Sequence, residues 1–161
     1  MSQIGTRQLE SSPFDQQKIE TKSIETRFGV VEYAAENLLY FPDGLLAFND
    51  LHEFIVMPNP NNGPLFWIQS TEDSDIAFLL TDPTNFFPDY AIAPDNTERK
   101  KLGMRKEDTA YVLTLVTVDA DQNITLNLQA PILFTAHSNR AIQVILDQST
   151  YSTREPTTEP K

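Results

Sequence analysis

The sequence predicts a mainly β protein, a single domain with an antiparallel-rich, β-barrel-like fold and one or two short helices. Apolar runs of about four to eight residues alternate with turn residues about every eight to twelve positions, a pattern typical of barrels and sandwiches. Eleven prolines against five glycines indicate many strand ends and few long helices. The 161 residues have the length of one domain.

Polar, aperiodic sequence marks the two ends of this domain. Residues 1–17 contain Gln and Ser clusters without hydrophobic periodicity and are predicted to form a flexible tail. The folded domain is predicted to span residues 18–156, and residues 157–161 are predicted to form a short flexible end. No change of composition within the folded part indicates a second domain.

The amino-terminal part of the domain is predicted to contain short strands and a short helix. The first strand is expected to carry a kink or bulge at Gly29. The Pro-Asp-Gly run at 42–44 predicts a tight turn, with Pro at its second position and Gly supplying a positive φ. Asn49 or Asp50 could cap the short helix. The predicted strands cover residues 28–33, 38–41 and 54–57.

The stretch from 65 to 90 holds the only tryptophan, two apolar runs, an acidic connection and a group of aromatic residues. Residues 65–68 and 76–80 are predicted to be buried strands, joined by the polar, acidic run 70–75. Pro83 ends the second strand because it cannot donate to a ladder. Large aromatic residues then follow at 86–90, where turn residues predominate. These either cover the end of the core, as large apolar side chains generally do, or await a partner.

The carboxyl-terminal half is predicted to begin with a helix and continue as strands. The helix covers residues 98–102 and stops at Gly103, and bases near its end are favourable to the helix dipole. Residues 119–123 form a turn after the most strand-like run of the chain. The predicted strands cover residues 111–118, 124–129, 132–136 and 142–146.

Charge is distributed unevenly along the chain, whose net charge is −11. Residues 28–98 contain twelve acids and no Lys or Arg, and residues 99–106 then contain five bases. Such a field repels the phosphates of nucleic acids and lipids and attracts basic proteins. The alternative is that the acids only keep the protein soluble. We therefore expect no direct nucleic-acid binding and no membrane binding.

No pattern for catalysis, a cofactor or a metal is found. The absence of cysteine excludes disulfides and thiol chemistry. The acidic run 119–123 copies half of a calcium loop, but Ile124 and Ala130 stand where Gly and Glu belong, so a hairpin turn is expected. His52 and His137 lack metal-ligand spacing. No stretch approaches the roughly 18 apolar residues of a membrane span, and no signal core opens the chain, so we expect a cytoplasmic protein.

A set of short motifs occurs in a fixed order: IETRFG at 24–29, FPDGL at 41–45, FWIQS at 66–70, DP at 82–83, FPDY at 87–90, NLQAPI at 127–132 and QVIL at 143–146. Together these motifs resemble the flagellar assembly factor FliW family over roughly residues 24–156. The chain departs from the family pattern at Leu46 and Ala47, where a Pro-Gly pair is usual. The tail before residue 18 has no counterpart in the pattern.

The resemblance implies a cytoplasmic bacterial protein with a β-barrel-like fold, no catalytic activity and no cofactor. It implies binding to CsrA, an RNA-binding translational regulator, which relieves repression of flagellin synthesis. It also implies binding to flagellin itself, so that flagellin and CsrA compete for this protein. We expect the protein to be a monomer.

Two groups of residues are candidates for these contacts. Carboxylates in and after the predicted hairpin of residues 65–80 are predicted to contact the basic CsrA: Glu72, Asp73, Asp75 and Asp82. Aromatic residues are predicted to contact an amphipathic segment of flagellin: Phe86, Phe87 and Tyr90. Two alternatives stay open at this point, a small-metabolite-binding β-barrel with an apolar pocket and a carboxylate-dependent hydrolase with acids facing each other across a cleft.

Overall fold

The computed structural model describes residues 21–58, 63–147 and 150–157, and its fold is mainly β. The predicted tail at 1–17 and residues 158–161 lie outside the described residues. The described strands are β1 Thr21–Thr26, β2 Gly29–Ala34, β3 Leu38–Tyr40, β4 Glu53–Pro58, β5 Leu65–Ser70, β6 Ala77–Thr81, β7 Tyr111–Val118, β8 Ile124–Leu126, β9 Ile132–Thr135, β10 Arg140–Gln143 and β11 Glu155–Pro156. The α-helix among the described residues is α1 Asn96–Leu102, and short 3-10 helices cover Ala35–Asn37 and Pro83–Asn85.

Seven strands close into a barrel, as predicted. Their order is β9, β10, β3, β4, β5, β6 and β7, and β7 pairs back with β9 to complete the ring. The pairings are antiparallel except that of β10 with β3, which is parallel. The far end of β7 also pairs with β8, and β8 pairs with β11, so these two strands extend the sheet beyond the barrel.

The interior of the barrel is filled with side chains. Because successive strand residues point to opposite faces, each strand can direct one apolar residue inward near the middle of the barrel. All seven strands do so, and the loop after β3 adds Phe41 and Leu45 to the same buried cluster. The strand residues of this cluster are Leu39, Phe54, Ile68, Leu80, Leu113, Ile132 and Ala141.

Three elements cover the outside of the barrel. The hairpin of β1 and β2 forms a separate sheet, and its Phe28 ring lies 5.2 Å from the ring of Trp67 on β5. The segment after β6 packs on β7 and β8, where Tyr90 joins a second apolar cluster. The helix α1 buries Leu102 against Leu133 of β9 in a third cluster.

The helix α1 forms as predicted, and side chains or backbone groups cap both of its ends. Asp95 accepts a hydrogen bond from the backbone N–H of Glu98, whose side chain accepts one in return from the Asp95 N–H. Gly103 ends the helix with φ of +66°. Three bases lie in the last turn. Within the part of the chain that the structure describes, no helix has the length and apolar character needed to span a membrane.

The predicted bulge at Gly29 is wrong. Gly29 instead lies at the turn that joins β1 to β2, with φ of +97°. The hydroxyl of Thr26 accepts a hydrogen bond from the Phe28 N–H and donates one to the Gly29 carbonyl, which closes this turn. The residues before Gly29 therefore form the first strand of a hairpin, and those after it form the second.

The predicted helix capped by Asn49 or Asp50 is also wrong. This segment forms turns in which Leu45 and Phe48 bridge each other by two backbone hydrogen bonds. Leu45, Phe48 and Leu51 all pack against the barrel cluster. The contacts of these three side chains with the barrel therefore override the local capping signal.

Ala47 has φ of +68°, a value that suits glycine. It occupies the position where the usual family pattern has the Gly of a Pro-Gly pair. We expect Ala47→Gly to raise the free energy of unfolding by about 0.5–1 kcal/mol, because relief of the left-handed strain exceeds the added entropy of the unfolded chain. Urea denaturation measures this change. Ala93→Gly, at an exposed residue outside the left-handed region, is the control and should destabilise; equal losses in both variants would contradict the prediction.

Candidate functional site

The acidic loop, residues 71–76, joins β5 to β6 at one end of the barrel. It carries Glu72, Asp73 and Asp75, all of which are exposed. The loop begins with a turn in which the Ser70 hydroxyl accepts hydrogen bonds from the backbone N–H groups of Glu72 and Asp73, both at 3.0 Å. The predicted polar connection is therefore present, and its carboxylates face the solvent.

Gln69 holds this loop from beneath. Its side chain is fully buried, and its Nε2 lies 3.0–3.3 Å from the carbonyl oxygens of Ser70, Asp73, Ser74 and Ile76. The backbone of the loop thus folds around one amide group, which fixes the direction of its carboxylates. A polar Gln near the end of an otherwise apolar strand is the one signal of this role in the sequence.

Glu72 ties the acidic loop to the start of β4. Its Oε1 accepts hydrogen bonds from the backbone N–H groups of Glu53 at 3.0 Å and His52 at 2.6 Å. These two bonds lower the pKa of Glu72 below its ordinary value, and the nearby His52 adds a smaller effect in the same direction. Thr71 adds a further link by donating its hydroxyl to the Glu53 carboxylate at 2.9 Å.

The lowered pKa of Glu72 makes part of the stability dependent on pH. This part is fully present above the pKa of Glu72 in the unfolded chain and is lost as the pH falls through the lower folded value. In Glu72→Gln the amide oxygen can still accept both bonds, so we expect a loss below about 1 kcal/mol at neutral pH that shrinks as the pH falls below the ordinary pKa of a Glu side chain. Urea denaturation at several pH values tests this expectation. A difference that stays constant across that range would contradict it.

The other predicted carboxylates differ in their positions and in their hydrogen bonds. Asp73 accepts a hydrogen bond from the Asp75 N–H, whereas the Asp75 carboxylate makes no hydrogen bond or ion pair with another described residue. Asp82 caps the 3-10 helix by accepting bonds from the N–H and hydroxyl of Thr84. It follows β6, about 17 Å of strand away from the acidic loop. The structure therefore brings Glu72, Asp73 and Asp75 together and separates Asp82 from them.

The twelve acids between residues 28 and 98 are spread over the exterior. Ten are exposed, and only Glu53 and Glu98 are half-buried. Both half-buried carboxylates accept hydrogen bonds from their own neighbourhood. Asp43 forms an ion pair of 2.9 Å with Lys101. No group of three His, Asp or Glu residues in the described ranges has a metal-binding arrangement.

The aromatic segment, residues 86–90, lies beyond the other end of β6. Tyr90 is only 4% exposed, and its hydroxyl donates to the Leu128 carbonyl at 2.7 Å. Burial raises the pKa of this hydroxyl. Phe86 and Phe87 are half-buried against the same cluster. The segment therefore covers the core through Tyr90 and leaves parts of the two Phe rings accessible.

A shallow hollow of about 290 Å³ lies beside these rings. Its walls come from the aromatic segment and from Tyr151, whose ring packs edge-on to Tyr90 with centroids 5.0 Å apart. Backbone bonds from Leu128 and Gln129 to the Ser152 carbonyl hold the segment that carries Tyr151. The sequence gives no sign of the position of Tyr151, because no local pattern pairs it with a segment so far away in the chain.

Comparisons with known proteins agree with this architecture. The model of the family described as FliW protein matches residues 22–157. The flagellar assembly factor FliW of Syntrophotalea carbinolica is 58% identical over 135 residues, which cover 84% of this chain and 96% of that protein. The flagellar assembly factor FliW 2 of Desulfotalea psychrophila is 58% identical over 134 residues, or 83% of this chain and 89% of that protein.

A solved structure gives the same result in three dimensions. The crystal structure of the flagellar assembly factor FliW has a TM-score of 0.77 and 27% sequence identity to this chain. The match covers 86% of this chain and 98% of the solved chain. The resemblance drawn from the ordered motifs is thereby confirmed. The chain belongs to the FliW family of flagellar assembly factors.

Proposed function

We propose that this flagellar assembly factor binds a CsrA-type translational regulator through its acidic loop and binds flagellin through its aromatic segment. Binding of the regulator relieves its repression of flagellin synthesis. The protein acts in the cytoplasm as a regulatory protein and not as an enzyme. The observation that carries the proposal is that hydrogen bonds hold the acidic loop in a form that exposes its carboxylates. All twelve acids of residues 28–98 lie outside the core.

Electrostatic complementarity supports the regulator contact. A protein that binds RNA presents basic residues to phosphates, and the same residues are attracted by an opposite field. The acidic loop can meet such a surface without rearrangement, because Gln69, Ser70 and Glu72 already fix its backbone. Preorganisation of this kind lowers the entropy lost on binding.

The hollow beside the aromatic segment supports the flagellin contact. An amphipathic helix docks by inserting apolar side chains into a groove. Phe86 and Phe87 offer accessible apolar surface at this hollow, and Tyr90 supports them from the core. Asp89 stands at the rim, where a polar group can fix the orientation of a docked helix.

The two proposed contact regions are separated by β6, about 17 Å of strand. Competition between flagellin and the regulator would therefore arise from the bulk of the two partners and not from shared contact residues. The small-metabolite alternative gains no support, because apolar side chains fill the barrel. The hydrolase alternative also gains no support, because the acids of residues 28–98 lie on the exterior and do not face each other across a cleft.

Titration calorimetry with purified partners tests the proposal. CsrA and flagellin from the same organism are titrated separately into the protein, and CsrA is then titrated into the preformed flagellin complex. We expect binding in both separate titrations and a much weaker apparent CsrA affinity in the third. Absence of CsrA binding in the first titration would contradict the proposal, and equal affinities in the first and third would contradict competition.

Truncation of the two accessible rings tests the flagellin contact. We expect Phe86→Ala with Phe87→Ala to weaken flagellin binding about 30-fold, because both rings lose their contact area, and to leave CsrA binding within about twofold. Tyr90 is left intact because its removal would damage the core. The control is Tyr111→Ala with Phe134→Ala, a pair of tilted rings elsewhere on the barrel whose centroids are 5.4 Å apart. Unchanged flagellin binding in the folded Phe86 and Phe87 variant would contradict a flagellin contact at the aromatic segment.

A further inference from the structure

The hairpin of β1 and β2 exposes apolar surface on the outside of the barrel. Phe28 is 45% exposed, and Val30 is 68% exposed, the highest value among the large apolar side chains of the described residues. Val30 lies opposite Glu25 in the hairpin ladder. Side chains of opposite residues lie on the same face of a sheet. One face of the hairpin therefore presents an exposed apolar side chain directly beside a carboxylate.

Arg27 holds the tip of this hairpin against the barrel. Its guanidinium carbon lies 5.2 Å from the ring centroid of Phe28 and 5.2 Å from that of Trp67. This cation–π contact engages the guanidinium with aromatic rings and not with carboxylates. Arg27 forms no ion pair with another described residue, so the carboxylates of Glu25 and Asp75 are left uncompensated.

A groove of about 280 Å³ separates the hairpin tip from the acidic loop. We call it the hairpin groove; Glu25, Thr26, Arg27, Gly29 and Val30 of the hairpin line it together with Ser74 and Asp75 of the acidic loop. At Gly29 a β-carbon would meet no atom within 4 Å, so this side of the groove is open. The groove has room for one long side chain between two carboxylates, with an exposed apolar residue at its edge.

We propose that the hairpin groove binds a basic segment of the CsrA-type regulator. An Arg or Lys side chain of that segment lies between Glu25 and Asp75, and an adjacent apolar side chain packs on Val30. Charge complementarity selects this occupant, because the groove and the acidic loop together carry four carboxylates against the single engaged guanidinium of Arg27. The inference rests on the proposed function and adds to it the hairpin, which lies outside the acidic loop.

Calorimetric titration of purified CsrA into folded variants tests the groove. We expect Glu25→Gln to weaken CsrA binding about fivefold, because it neutralises the hairpin carboxylate beside the bound base and leaves the acidic loop unchanged. Val30→Thr keeps the side-chain shape and strand preference but adds a hydroxyl, so we expect about threefold weaker binding. The matched control is Ile145→Thr with Asp147→Asn. These residues are also exposed and follow β10, which lies far from β5 around the barrel.

Trp67, the only tryptophan, supplies a second measurement. Because its ring contacts the hairpin tip, occupation of the groove should change its emission after the regulator's own signal is subtracted. CsrA affinity unchanged in both groove variants, together with unchanged Trp67 emission, would overturn the groove while leaving the proposed function standing. Failure of the unmodified protein to bind CsrA would overturn both. Equal weakening by the matched control would also overturn the groove, because it would show a general effect of surface charge.

Discussion

The double variant Asp73→Asn with Asp75→Lys is expected to bind CsrA about 100-fold more weakly than the unmodified protein, a change of ~2.7 kcal/mol. The substitutions remove two carboxylates from the acidic loop and add one base. The amide oxygen introduced by Asp73→Asn can still accept the hydrogen bond that Asp73 takes from the backbone N–H at position 75, so the loop should keep its backbone. Glu72 is left unchanged because it accepts two backbone bonds. Titration calorimetry gives the affinity, and the melting temperature checks the fold.

A matched variant tests whether the location of the substituted charges matters or only the net charge of the protein. Asp121→Asn with Asp147→Lys makes the same change of net charge at exposed carboxylates outside the acidic loop. We expect this variant to lose less than about threefold in affinity, because exposed charges farther than a Debye length from the contact are screened. Equal losses in the two variants would show that only the net charge matters and would contradict a contact at the acidic loop.

The largest expected effect on stability comes from Phe54→Ala. Phe54 is fully buried in the barrel, and its ring lies 5.4 Å from that of Phe41 and 6.1 Å from that of Phe78. We expect a loss of about 3–5 kcal/mol in the free energy of unfolding, because truncation leaves a cavity that a closed barrel cannot collapse around. Since domains of this size are stable by only about 5–15 kcal/mol, the variant should be close to unfolding at physiological temperature.

Phe54→Leu is the companion variant for this position. It keeps most of the buried volume, so we expect a loss of about 1–2 kcal/mol. Urea denaturation of both variants and of the unmodified protein gives the comparison. A loss below about 1 kcal/mol for Phe54→Ala would mean that the barrel interior is loosely packed, which would contradict the filled core described above.

Local patterns were enough to predict most of the strands and the helix α1. The apolar runs of β5 and β6 are bounded by turn residues, so their existence could be read directly from the sequence. Gly103 likewise marked the end of the helix. The turn at 119–123 also formed as expected, with Asp119 accepting bonds from the N–H groups of Asp121 and Asn123. In each case the determining contacts are close in sequence.

Contacts between distant segments could not be predicted in this way. The parallel pairing of β10 with β3 joins Arg140 to Tyr40, and no local signal specifies that register. A short helix beginning at Asn49 or Asp50 was predicted because its capping residues are local in sequence. The barrel core, against which this segment packs in turns, is built from distant residues. The hairpin fold over Trp67 likewise depends on a contact between two separate sheets.

The candidate site was predictable only where its residues are neighbours in the sequence. The charge map located the acidic loop, since Glu72, Asp73 and Asp75 are neighbours in sequence. It also grouped Asp82 with them, although β6 places that residue at the other end of the strand. The contribution of Gln69 could not be deduced, because its four carbonyl partners come together only when the loop folds around it.

The dependence of CsrA affinity on salt tests the central claim most directly. The unmodified protein is titrated with purified CsrA at salt concentrations from about 50 to about 300 mM. If exposed carboxylates of the acidic loop attract a basic partner, the dissociation constant should rise at least about tenfold over this range. The variant Asp73→Asn with Asp75→Lys should show a much flatter dependence. The same affinity at every salt concentration in the unmodified protein would contradict the account.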